Sequence, residues 1–149
     1  MKKFNFRLSG FLRIKEFEEK NAWNEVLQQE ARLNALRKRL DTLSTGIHES
    51  RRQLSDPDMG ASAAGRWQVA EESIRGMTAQ TKVLENEYAL EMKTLEKLVH
   101  RHREIKKEAR ILENYKERKH HDFVEEKAKA DEIQRNEFAT QSFIRRETK

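Results

Sequence analysis

The sequence predicts an all-α chain. Two long helices fold back on each other as an antiparallel, left-handed coiled-coil hairpin, and the end of the second helix overhangs the first. Three observations lead there. Ala, Glu, Lys, Leu, Arg and Gln dominate, all strong helix formers, whereas the 149 residues include only five glycines and one proline. Charged residues make up 38% and apolar residues 36% of the chain. Against about 25% charged residues in ordinary soluble domains, that leaves too little apolar surface for a layered core, but enough to line a narrow seam. Finally, apolar residues recur at alternating steps of three and four along two tracts, with one break between them.

The first tract predicts a helix over about 5–54. Its seam positions are Ala22, Val26, Gln29, Leu33, Leu36, Leu40, Leu43, Ile47, Ser50 and Leu54. Ahead of them Phe4, Phe6, Leu8, Phe11, Leu12, Ile14 and Phe17 would point around most of a helix circumference. One seam cannot use them all, so they either cap the end of the coil or enter a hydrophobic socket on a partner, the reading preferred here.

The break lies at Ser55-Asp56-Pro57-Asp58-Met59-Gly60 and the small residues after it. Proline, glycine and two aspartates so close together predict a turn over about 55–63. A second helix follows over about 64–140, then a frayed tail. Its seam runs Trp67, Ala70, Ile74, Met77, Thr81, Leu84, Tyr88, Glu91, Leu95, Leu98, His102, Ile105, Ala109 and Leu112, apolar except at Thr81, Glu91 and His102. A strict seven-residue repeat of this kind implies a left-handed supercoil.

So short a connection makes the tracts fold back, burying both seams within one domain spanning residues 1–149. Seam partners should then have numbers adding to about 121–124. Gln29 falls near Glu91 and Glu19 near His102; such polar layers either fix the register or are hydrated weak points. At ~1.5 Å per residue the helices would span ~75 Å and ~115 Å, so helix 2 has no partner in the chain beyond about residue 117. Phe123, Val124, Ile133, Phe138, Phe143 and Ile144 nevertheless lie there.

Most chemistry is argued against. No glycine-rich phosphate loop occurs, and with no cysteine there is neither a disulfide nor a thiolate metal site. His100 with His102, and His120 with His121, lack the spacing that puts two ligands on one helical face. The carboxylates lie among basic neighbours on solvated faces, a poor setting for acid–base catalysis. No enzyme activity, cofactor or metal is expected. The net charge of +5 balances 31 basic against 26 acidic residues. Their signs alternate, as in Lys106-Lys107-Glu108, which argues against a nucleic-acid stripe even around Arg101, Arg103 and Arg110. No segment reads as a leader or a membrane span, and a soluble cytoplasmic chain is expected.

The candidate partner-binding residues are therefore Phe4, Phe6, Phe11, Ile14, Phe17, Phe123, Ile133 and Phe138 at the open end. Val69, Val83 and Leu90 form a weaker outward stripe nearer the hairpin, interrupted by Gly76. The predicted seam core is Leu33, Leu36, Leu40, Leu43, Ile47, Ile74, Met77, Leu84, Leu95, Leu98, Ile105 and Leu112.

Three segments resemble the FliJ family of the flagellar type III export apparatus. Phe4-Asn5-Phe6-Arg7-Leu8, through Leu12 to Lys15-Glu16, is similar to the family's F-x-F-R-L opening and the L…KE after it. Asp58-Met59-Gly60 with Ala63, Ala64 and Arg66-Trp67 resembles the turn of enterobacterial members. Leu112-Glu113-Asn114-Tyr115-Lys116-Glu117-Arg118, then Asp131-Glu132 and Glu137-Phe138-Ala139, resembles the family's LExLKER…DE ending; Gln134-Arg135-Asn136 departs from it. The resemblance implies a non-enzymatic stalk, monomeric in isolation, at the cytoplasmic face of the inner membrane. Its implied partners are the hexameric export ATPase at the open end, the cytoplasmic domain of the export gate at the hairpin side, and empty export chaperones. The stalk proteins of needle-type secretion share this architecture and stand as the alternative, as does a self-associating structural coiled coil.

Overall fold

The computed structural model describes residues 3–55 and 63–147. It is all-helical: α1 (Ser9–Leu54) and α2 (Ala63–Glu147) are packed against each other, and no strand occurs among the described residues. The expected turn at Asp56-Pro57-Asp58-Met59-Gly60 lies outside the described residues, as does that part of the family resemblance.

α1 begins later than the sequence suggests, and the reason is local. Residues 3–6 are not helical and residues 7–8 form a turn. The Ser9 amide donates to the Phe6 carbonyl at 3.0 Å, and the first helical bond runs from the Leu12 amide to the Leu8 carbonyl at 2.9 Å. In extended chain, residues two apart point the same way, whereas in a helix they diverge. Phe4 and Phe6 can therefore both face α2, which no helical path from residue 5 would allow. At its other end α1 carries Arg51 and Arg52 in the last turn, where cations suit the helix dipole. The Ser55 hydroxyl donates to the Arg51 carbonyl at 3.1 Å, satisfying one of the carbonyls left over at the helix end.

Contacts gather into two units, one of Lys20–Arg103 and one of residues up to Glu19 with those from Glu104 on. Burial in the Lys20–Arg103 unit falls on residues of both helices. Ala22, Val26, Gln29, Leu33, Leu36 and Leu84 are buried, and Leu40, Leu43, Ile47, Ile74, Met77, Tyr88, Leu95 and Leu98 are half-buried. Glu25 pairs with Arg101 at 3.2 Å, the Trp23 and His102 rings lie 5.2 Å apart, and Gln29 meets Glu91. Nearer the connection, a Cβ built on Gly46 would come within 2.9 Å of Met77 Sδ. In each of these contacts a residue of α1 meets one of α2. Trp67 is half-exposed.

In the other unit Phe6, Leu12 and Ala109 are buried, with Ile105 and Leu112 half-buried. Lys15 bridges to Glu108 at 2.8 Å and to Glu18 at 3.0 Å. The first of these bonds, then the second, holds the Lys15 ammonium above its ordinary pKa of 10.5. α2 does not fray at about residue 140 but stays helical to Glu147, and from Val124 to Arg145 every side chain is exposed.

Candidate docking surface

The sequence nominated eight open-end residues, and the structure sorts them into three groups. Phe4, Phe6 and Phe123 come together. The Phe4 ring meets His120 edge-on at 5.0 Å and Phe123 at 5.6 Å, while Phe6 packs on Tyr115 at 5.9 Å. Phe6 is buried and Phe4 half-buried, so these two are spent mainly inside the chain. Aromatic pairs at such separations add to the stability of simple area burial. They also correct the expectation that α2 lacks a partner beyond about residue 117. Residues 3–6, which lie outside the helix, reach α2 as far as Phe123.

Phe11, Ile14 and Phe17 make a second group. They step by three along α1, so each neighbours the next, with Phe11 and Phe17 about 120° apart around the helix. Their exposures are 50%, 55% and 64%. The Lys15 ammonium lies 5.7 Å from the Phe11 ring centre, a cation–π distance. Leu12 turns the other way and is buried.

Ile133 and Phe138 form the third group, exposed at 60% and 64%, with Phe143 and Ile144 beyond them. Five residues apart on a helix, Ile133 and Phe138 do not share a face. Among the described ring contacts, Phe138 meets neither Phe4 nor Phe6.

In the Lys20–Arg103 unit, Val69, Val83 and Leu90 are all exposed at one heptad position, and a Cβ on Gly76 between them would meet nothing within 4 Å. A groove of 440 Å³ lies elsewhere in this unit over Leu43 and Leu84, edged by Lys38 and Arg39.

Sequence reasoning missed Tyr115, Lys119 and His120. The signal was the alternation of Phe4 and Phe6, period two rather than helical, which asks for an aromatic partner beyond Leu112. Among the described residues no group of three His, Asp or Glu is arranged to hold a metal, and no helix is long and apolar enough to cross a membrane. His121 instead lies 3.8 Å from Glu125 on its own helix.

No family model, curated protein or solved structure matches the chain.

Proposed function

We propose that this chain is a non-enzymatic stalk and adaptor of the FliJ kind. In this reading α1 and α2 form an antiparallel, left-handed coiled coil at the cytoplasmic face of the inner membrane. The unit holding Phe11, Ile14 and Phe17 docks on a hexameric export ATPase, and the Val69, Val83 and Leu90 side serves the export gate, with empty chaperones as further clients. The order of helix–helix contacts supports the antiparallel coil. The observation that carries the docking role is the set of Phe11, Ile14 and Phe17, each at least half exposed on a helix whose neighbouring Leu12 is buried. Isolated exposed apolar residues are ordinary, but three large ones exposed in successive turns mark an interaction site.

The test is ATPase stimulation by the purified chain. Phe11→Ala with Phe17→Ala, or truncation after Tyr115, should abolish most of the stimulation while helicity per residue stays unchanged. Full stimulation by a chain altered at both places sinks the reading. The same test, run with the needle-type ATPase in place of the flagellar one, separates the two export systems.

A self-associating coiled coil is the second reading, favoured by the heptad-spaced Val69, Val83 and Leu90 with open space at Gly76. Sedimentation equilibrium separates them: a monomer at all concentrations supports the adaptor, concentration-dependent growth supports the scaffold.

A further inference from the structure

Residues 3–8 do more than cover α2: with residues 115–123 they enclose a groove of 830 Å³. That volume falls in the range of known ligand sites, roughly 300–1,000 Å³. We infer that this groove binds an acidic peptide segment carrying an apolar side chain. The inference rests on the reading that this unit docks a protein, and adds the chemistry of what it takes.

Charge is the first argument. Elsewhere the chain alternates its signs, but the groove is lined by Lys3, Arg7 and Lys119 and by no carboxylate. Lys119 reaches Asp122 at 3.4 Å on its own helix and lies 5.8 Å from the Tyr115 ring centre. Arg7 is exposed and, like Lys3, enters no ion pair among the described residues. Cations left unpaired around one groove favour an anionic occupant and repel a basic one.

The walls supply the apolar half. Phe4, Phe6, Leu8, Tyr115 and Phe123 line the groove between the cations. Their rings already pack on one another at 5.6–5.9 Å, and the Lys119 ammonium lies over the Tyr115 ring. Stacked bases need free ring faces, so an aliphatic side chain suits the space better than a nucleic acid.

Backbone provides the third argument. Residues 3–5 are non-helical and make no backbone hydrogen bond among the described residues. An extended peptide can pair with such a segment, as strands are added to a free edge. A lipid headgroup or free phosphate has no use for that edge.

The experiment is fluorescence anisotropy on the full chain. Its probe is a short fluorescein-labelled peptide rich in Glu with a Leu-Leu pair. The chain should bind it at moderate salt. Arg7→Glu, which alters an exposed side chain, should weaken binding about tenfold, and so should replacing the peptide's leucines by serine. Arg37→Glu with Lys38→Glu, outside this groove, should leave affinity unchanged. Circular dichroism checks that each variant keeps its helix. The inference is overturned by no binding, by an Arg7→Glu chain that binds as tightly, or by an equal loss in the Arg37/Lys38 variant. It is also overturned if an oligouridine or phosphatidylserine vesicles displace the peptide as well as unlabelled peptide does. If the peptide binds as described but the Phe11/Phe17 and truncated chains still stimulate the ATPase, the stalk reading fails and the groove stands. If stimulation needs Phe11 and Phe17 and the peptide is not bound, only the groove fails.

Discussion

Gly46 and Gly76 are both helix-interior glycines, and their surroundings separate them. Glycine in a helix costs about 0.5–1 kcal/mol relative to alanine. At Gly76 a new Cβ would meet nothing within 4 Å, so Gly76→Ala should raise unfolding stability by about 0.5–1 kcal/mol in a urea titration. At Gly46 it would come within 2.9 Å of Met77 Sδ. A thioether end can swing aside, but doing so costs packing. Gly46→Ala should therefore gain less than Gly76→Ala, and a larger gain would mean that the helices are not held close at this layer. Lys15 makes a different prediction. Its folded pKa is raised, by its bond to Glu108 and then to Glu18. Such a group stabilises fully below its unfolded pKa, and the benefit is lost as pH climbs through the folded value. Thermal melts of the parent and Lys15→Gln should thus differ at neutral pH and converge in strongly alkaline solution. The bridge is solvent-accessible, so the difference should shrink in high salt as well.

At the scale of elements, α2 divides by what covers it. Leu84 and Ala109 are buried, whereas every described side chain from Val124 to Arg145 is exposed. A helix without tertiary packing opens readily. Amides in residues 125–145 should exchange with deuterium at least about a hundredfold faster than those in residues 84–105; equal protection would require a partner not seen in the chain. The helices were legible because a seven-residue repeat constrains many positions at once, and a single misfit such as Trp67 does not disturb it. Gln29 was legible for the same reason: its Nε2 donates to the Glu91 carbonyl at 3.0 Å and also to the Glu91 carboxylate. The start of α1 was not legible. Apolar counting alone places Phe4 and Phe6 on a helix, and only their contacts with Phe123 and Tyr115 show why the chain there is not helical. Phe11, Ile14 and Phe17 were legible as surplus apolar residues, because surplus is a matter of counting faces. The groove was not, because it depends on which residues approach from a distant part of the sequence.

For the whole molecule, 31 basic and 26 acidic residues keep the surface well solvated despite its exposed phenylalanines. The placement of the aromatics also has an optical consequence. The chain has two tryptophans, Trp23 and Trp67, and both belong to the Lys20–Arg103 unit. The unit with residues 3–8 and the groove holds Tyr115 but no tryptophan. Tryptophan emission is thus a private reporter of one unit, sensitive where Trp23 lies 5.2 Å from His102 and blind to loosening around Phe6. If the unit holding the groove melts first, far-ultraviolet circular dichroism should fall while emission holds steady; superimposable curves would show that the two units unfold together. A tryptophan placed at Phe11 would give the silent unit a signal of its own.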